Sequence, residues 1–476
     1  MNYALILHTL VVITFTVRIL LRNDLSPPAR LAWFVVLMVL PAAGTVVYFL
    51  FGEDNIGRTG KAAQVAVFDR IRMDAFPMMG NGDNVGALIN PLYQPVFRYC
   101  GSINGFYPVA GNTATLMSDG DATRAAMIAD IDAARDQVHV LYYIWLDDGT
   151  GRAVAEALMR AAQRGVTCRA MADSMGSRRL IRSELWNRME RAGVHLAVAL
   201  PYSKPIRTML FSRIDLRNHR KITVIDGKIT YCGSRNSADP EFRIKAKYAP
   251  WVDIMLRFEG PVVAQNQLLF ATDWIRETGE ILDPLAVPVA PIKGGFAAHV
   301  MGDGPTRRHG ATPQLFATAL SCARDRVTIS TPYFVPNTSV LDALCAAAYR
   351  GVTVTLIFPE KNDSWIVAAA SRSYYRELLE AGCVIYEFTE GLLHAKTLTI
   401  DGQVSMVGSS NLDLRSFDLN YENNILLQDA DTTADICARQ DAYIARSTRV
   451  TLADISEWPY YRLMWHNVIA TVGPVL

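Results

Sequence analysis

Two stretches of this 476-residue chain carry one sparse pattern, His-x-Lys-x-x-x-x-Asp followed by Gly-Ser-x-Asn. The first is His219, Lys221 and Asp226, then Gly233, Ser234 and Asn236; the second is His394, Lys396 and Asp401, then Gly408, Ser409 and Asn411. The spacing puts His and Lys on one face of a strand, because side chains alternate with period two. A neutral imidazole can attack phosphorus, and a lysine beside it can neutralise phosphate charge. Two copies supply two histidines, one to attack and one to protonate a leaving group. The competing reading is that both are satisfied core histidines of repeated lobes. A Lys two residues on in both copies weighs against it.

The repeat extends beyond these motifs. AARDQVHVLYYIW at 133–145 parallels CARDRVTISTPYF at 322–334, each a helix end running into an apolar strand. AVAEALMRAAQRGVTCRAMAD at 153–173 parallels SVLDALCAAAYRGVTVTLIFP at 339–359, an amphipathic helix closed by Gly165 or Gly351 and followed by a strand. This alternation predicts α/β lobes, each around a largely parallel sheet, and the duplication predicts two similar lobes. The RGVT turns themselves carry fold and no chemistry.

The amino terminus differs. Residues 4–21 and 31–51 are apolar runs joined by RNDLSPPAR, each about long enough to cross a bilayer. No basic segment precedes the first run and no small-residue cleavage site follows it, so a helical hairpin anchor is expected rather than a signal peptide. Pro41 and Gly44 are expected to kink the second helix. Arg18, Arg22 and Arg30 favour a cytoplasmic turn, whereas Arg58, Lys61, Arg70 and Arg72 favour a cytoplasmic catalytic region, so sidedness stays open. Residues 56–104 read as a linker that becomes helical in places, 105–285 as lobe 1 and 286–476 as lobe 2. The net charge is +1, which gives no broad basic field for nucleic acid. The seven cysteines are dispersed with no C-x-x-C pair and read as free thiols. Neither a metal nor a cofactor is expected.

HRKITVIDGKITYCGSRNSADP at 219–240, STPYFVPN at 330–337 and LLHAKTLTIDGQVSMVGSSNLDLRSFDLNYE at 392–422 resemble bacterial cardiolipin synthases of the phospholipase D superfamily, and the likeness covers nearly the whole chain. The resemblance implies two lobes packed as a pseudo-dimer, with both motifs meeting at one cleft. It implies His219, Lys221, Asp226, His394, Lys396 and Asp401 as the catalytic set. Within that set, Asp226 and Asp401 lie at the far end of their strands beside Gly227 and Gly402, where a turn is expected, and read as structural partners. By resemblance, an acid farther along orients each imidazole: Glu422 follows His394, and Asp253 follows His219. Asn236 and Asn411 would donate to phosphate oxygens, helped by the hydroxyls of Ser234 and Ser409 or of Ser410. The glycines ahead of them would let the backbone approach phosphate. The family more often uses the first motif's histidine as nucleophile, which implies His219 to attack and His394 as acid/base; the residues alone do not distinguish them.

The function implied is transfer of a phosphatidyl group between two phosphatidylglycerols, giving cardiolipin and glycerol through a phosphohistidine. Phosphatidylglycerol, other anionic phospholipids and the lipid bilayer are the expected partners, at the bacterial cytoplasmic membrane, with oligomeric state unknown. Hydrolysis to phosphatidic acid is the alternative. A nuclease, which the duplicated motif also serves, is disfavoured by the charge and the apolar amino terminus, and no nucleic-acid partner is expected. Two further stretches bear on lipid contact: 204–218, mixing Arg with Ile, Met, Leu and Phe, and the aromatic tail from Glu457 onward. Each reads equally as ordinary packing.

Overall fold

The computed structural model describes residues 3–22, 25, 27–52, 58–201 and 215–472. Most of the 204–218 stretch therefore lies outside the described residues. One mixed sheet runs through both lobes. From the lobe 2 edge its strands are Ser447–Val450, Val384–Phe388, Thr353–Pro359, Arg326–Ser330, Thr397–Ile400, Val404–Gly408, Asn420–Gln428 and Phe296–Asp303. It continues into lobe 1 through Val109–Leu116, Met255–Glu259, Ile229–Gly233, Lys221–Ile225, Gln137–Tyr142, Thr167–Asp173 and His195–Ala199. The second series mirrors the first about the antiparallel junction of Val109–Leu116 with Phe296–Asp303. The duplication is thus a pseudo-twofold.

The expectation of a largely parallel sheet needs correction. Along the main sheet the parallel pairs are Arg326–Ser330 with Thr353–Pro359 and on to Val384–Phe388, and their lobe 1 counterparts; the edge strand Ser447–Val450 is antiparallel. Those are the strands joined by helical crossovers. The motif strands between them and the junction are antiparallel hairpins, such as Lys221–Ile225 with Ile229–Gly233. A three-residue connection suffices there, and Asp226-Gly227 and Asp401-Gly402 begin it with positive φ at all four positions.

The crossover helices begin and end as their sequences dictate. Asp148 caps Gly149–Gln163 by accepting from the Gly151 amide at 3.0 Å, and Asn337 caps Thr338–Tyr349 through Val340. Gly165 and Gly351 follow with φ of +90° and +88°, and a Cβ at either would meet nothing within 4 Å. Backbone conformation, not space, demands glycine there.

Each lobe has an outer core of its own, and a third, shared core lies between them. In the shared core Leu141, Ile222, Leu256 and Leu269 of lobe 1 pack with Val300, Leu393, Val407 and Ile425 of lobe 2. The stretch expected as a linker is largely structural. Helix Arg58–Ala75 feeds Ile71 and Ala75 into the shared core, and helix Gln94–Asn104 buries Val96, Phe97 and Cys100 in the lobe 2 core. All seven cysteines are free, and all but Cys437 are buried.

At the amino terminus Tyr3–Leu20 is one helix, but the expected 31–51 span is two, Pro27–Val39 and Pro41–Phe51. Pro41 has no amide hydrogen to continue the helix, and Leu40 ahead of it turns to φ −130°, ψ 65°. The chain then folds back until the Gly52 carbonyl accepts a hydrogen bond from Arg22. Phe15, Ile19, Trp33, Leu37 and Tyr48 pack together inside the three helices. Leu7, Leu10, Ile13, Val17, Leu31 and Val35 remain exposed outside. Among the described residues no helix is long and apolar enough to cross a membrane.

Candidate functional site

His219 and Lys221 enter the site at the leading edge of strand Lys221–Ile225, and His394 and Lys396 at that of Thr397–Ile400. All four are buried. Short parallel pairings bring the two edges together, and each crosses between lobes. Arg217–Asn218 pairs with Asn420–Tyr421, and the His219 amide donates to the Tyr421 carbonyl at 2.9 Å. Trp251–Val252 pairs with Leu392–Leu393, and the His394 amide donates to Val252 at 2.8 Å.

This exchange reverses the expected acid pairing. Glu422 accepts from Nδ1 of His219 at 3.0 Å, and Asp253 accepts from Nδ1 of His394 at 2.6 Å. Each imidazole is held by the acid of the opposite lobe. A carboxylate can only accept, so each Nδ1 carries its proton and Nε2 is the nitrogen left for chemistry.

The Gly-Ser pairs serve these acids. Ser234 Oγ donates to Asp253 at 2.6 Å and Ser409 Oγ donates to Glu422. Both hydroxyls are therefore engaged behind the site instead of reaching toward phosphate. Ser410 is engaged too, accepting from Asn424 at 2.7 Å. A Cβ on Gly233 or Gly408 would lie 2.2 Å from the Ile254 carbonyl or 2.3 Å from that of Asn423. The glycines admit the acid-bearing strand, not the ligand. Asn236 accepts from the Ile144 amide at 3.2 Å, and the Asn411 amide nitrogen meets Ser416 at 3.1 Å.

Asp226 and Asp401 stand apart from the chemistry. Asp226 accepts from the amides of Arg135, Asp136 and Gln137, and Asp401 from those of Arg324, Asp325 and Arg326. Each ties its motif hairpin to the start of a neighbouring strand. These hydrogen bonds support the structural role read for them beside Gly227 and Gly402.

Burial pushes both imidazoles down to about 4, partly opposed by Glu422 at His219; at His394 the nearby Lys396 adds to the fall and Asp253 opposes it. Burial raises the two carboxyls, but the facing imidazole, the lysines and the serine hydroxyls outweigh it and hold both low. Burial also draws Lys221 down to about 8, and burial with the charge of Lys221 draws Lys396 well below its ordinary value. Each lysine amine donates to the carbonyl of its own histidine, at 2.5 and 2.7 Å, and the charge of Lys221 disfavours a proton on Lys396 until an anion offsets it.

Sequence reading did not pick out several supports. Tyr143 lies 4.9 Å from His219 and Trp251 lies 4.6 Å from His394, ring to ring. Trp251 stands two residues before Asp253, and Tyr143 directly follows an apolar strand in YYIW, which were the available signals. Behind His219, Asn218 and Arg220 both donate to the buried Asp273, at 3.0 and 2.6 Å. Leu393 and Ala395 occupy the corresponding places in lobe 2, so no local cue announced this network.

Fold and site together define a two-lobed enzyme of the phospholipase D type. The family model described as "Cardiolipin synthase, PLD-like domain" matches residues 127–253 and 316–443, and "Phospholipase_D-nuclease N-terminal" matches 10–53. Cardiolipin synthase A of Serratia proteamaculans (strain 568) is 38% identical over 97% of this chain and 95% of its own. Cardiolipin synthase A of Klebsiella pneumoniae (strain 342) is 36% identical over 98% and 96%. The crystal structure of phosphatidylserine synthase from Haemophilus influenzae Rd KW20 shares the fold with a TM-score of 0.59 at 13% identity, covering 82% of this chain and all of that one. The chain belongs to the cardiolipin synthase family with phospholipase D-like domains.

Proposed function

We propose that this protein is a cardiolipin synthase that moves a phosphatidyl group from one phosphatidylglycerol to another and releases glycerol. The observation that carries the reading is the crossed pair of His–carboxylate units with a buried lysine beside each histidine. Nε2 of His219 attacks the phosphorus of the first lipid, and the bond from phosphorus to the glycerol oxygen breaks. His394 gives that oxygen its Nε2 proton. Its imidazole is neutral in the empty site with Nε2 bare; the incoming diester's negative charge favours uptake of a solvent proton at Nε2, and that is the proton it gives. The phosphohistidine persists while a second lipid's glycerol hydroxyl replaces the first. His394 takes the proton of that hydroxyl, its oxygen bonds to phosphorus, and the phosphorus–nitrogen bond breaks to restore His219. Lys221 and Lys396, with the amides of Asn236 and Asn411, stabilise the extra charge of five-coordinate phosphorus.

In this reading the cleft works at the bacterial cytoplasmic membrane, with 4–21 and 31–51 in contact with lipid. The exposed apolar side chains around the three helices support this, since such a surface needs a partner in water. Lobe boundaries at 105–285 and 286–476 are part of the same proposal.

The test supplies purified full-length enzyme with phosphatidylglycerol in mixed micelles containing a chelator. Cardiolipin and free glycerol are expected in equal amounts, and reversal by excess glycerol, because one diester replaces another. Mainly phosphatidic acid would replace the transferase reading with a hydrolase. Recovery of the protein in the soluble fraction after alkaline carbonate would remove the anchor.

A further inference from the structure

The carboxy-terminal helix Tyr460–Val472 is only half committed to the fold. Its Ile469 packs with Val335, Ala369 and Ala370, which joins it to helix Trp365–Ser373. The rest of its surface exposes Tyr460, Tyr461, Met464, Trp465 and Val468. Trp365 continues this face, 61% exposed, with its ring 5.8 Å from that of Trp465 and nearly parallel to it. Arg462 is the sole charged residue between Glu457 and the end of the chain. Trp and Tyr beside a single cation suit a membrane interface, where such aromatics are favoured.

Beside this face lies an open cavity of about 460 Å³. Lys247, Lys361, Arg372, Arg462 and His466 line it, against one carboxylate, that of Glu360. Arg372 is engaged by Glu387 at 3.0 Å, and Arg462 lies over the Trp458 ring. Among the described residues Lys247, Lys361 and Arg462 form no ion pair. His466 is 5% exposed, yet its Nδ1 has no hydrogen-bond partner. A buried unpaired donor or acceptor is uncommon enough to ask for a ligand. The cavity is separate from the catalytic residues but close to them: Tyr248 in its wall precedes Trp251, which packs on His394.

We infer that this face is a second lipid site, where an anionic phospholipid of the bilayer surface seats its phosphate among Lys247, Lys361, Arg462 and His466 while Tyr460, Tyr461, Trp365 and Trp465 lie among the headgroups. The arrangement turns lobe 2 toward the membrane at a point far along the chain from the amino-terminal helices, fixing the cleft's orientation and not only its proximity. It extends the lipid reading above, but its test needs no turnover.

Full-length protein is placed in phosphatidylcholine nanodiscs carrying either brominated phosphatidylcholine or brominated phosphatidic acid. Bromine quenches nearby tryptophan, and subtracting the signal of a Trp365→Phe/Trp465→Phe variant isolates these two rings. Quenching by the acidic lipid is expected to exceed that by the zwitterionic lipid at equal content by about two-fold or more, since cations near an anionic surface are attracted to it. Lys361→Glu with Arg462→Glu should erase the preference and leave the phosphatidylcholine signal. Lys361→Glu alone, on an exposed side chain, should reduce it if the double variant does not fold. Equal quenching by both lipids in the unmodified protein overturns the anion site. No quenching by either overturns the whole inference. Normal cardiolipin production beside failed quenching would sink this site and spare the proposed function; the reverse result would do the opposite.

Discussion

At the scale of single residues, the crossed acids make the sharpest claim. Glu422→Gln and Asp253→Asn keep shape but let the wrong nitrogen of the facing imidazole carry the proton. Each should lower turnover by roughly 10²- to 10⁴-fold with little change in melting temperature. Because the pairing crosses lobes, Glu422→Gln should slow phosphate transfer to His219 in a single-turnover trap; slowing confined to steps at His394 would contradict the geometry. Asp226 behaves oppositely. Asp226→Ala removes an acceptor for three amides and leaves alanine at φ +50°, which should cost about 2–4 kcal/mol of stability. The activity of the remaining folded protein should stay near normal, as melting and active-site titration would reveal. The histidines and lysines were legible in the sequence because their chemistry resides in side-chain identity and spacing. The acids were legible as types but not as pairs, since counting residues within a lobe cannot reveal a strand exchanged across lobes. The serines were misread for a related reason: a hydroxyl near a phosphate motif suggests a phosphate ligand until the carboxylate behind it is located.

Among the elements, the repeated helix–Gly–strand units were readable because caps and apolar periodicity are local. Strand direction was not. ITVID and LTLTI alternate the same way in a parallel or an antiparallel neighbour, and only the Asp-Gly turns hinted at hairpins. Residues 56–104 looked like a linker because their apolar positions are sparse, yet Ile71, Val96, Phe97 and Cys100 are all buried. That difference sets where the chain can be cut. Removing residues 1–57 should leave the lobes folded, since the three amino-terminal helices pack chiefly on one another. Extending the deletion through residue 104 strips Val85, Val96 and Phe97 from the lobe 2 core and Ile71 from the shared core. At a few kcal/mol for each large side chain lost, that exceeds ordinary domain stability. Soluble expression with a cooperative melt for the shorter deletion, and aggregation for the longer, is the expected pair of results; two equally stable proteins would return the segment to linker status.

For the whole molecule, the shared core makes the lobes one cooperative unit and places ionisable groups where only their neutral forms fit. His299 sits on the strand Phe296–Asp303 at the junction of the lobes, its ring 5.4 Å from Phe97 and neither nitrogen hydrogen-bonded. Burial pushes it down to about 3 from an ordinary 6.5. His139, stacked on Phe270 with ring centroids 4.7 Å apart, is likewise pushed by burial to about 3, with Arg169 adding to the effect. The sign follows directly. Above pH 6.5 both forms of the chain hold these rings neutral and stability does not respond. As pH falls from 6.5 toward 3, the unfolded chain takes protons that the native one refuses, and stability drops. At pH 5 each ring should cost about 2 kcal/mol, at roughly 1.4 kcal/mol per unit of separation. His299→Phe replaces the ring with one of similar shape that cannot titrate. Urea unfolding should therefore show little change at pH 8 but about 2 kcal/mol of added stability at pH 5 relative to the unmodified protein. An identical pH slope in both proteins would mean that the His299 ring is protonated in the native state, and that the junction between the lobes is far wetter than its packing implies.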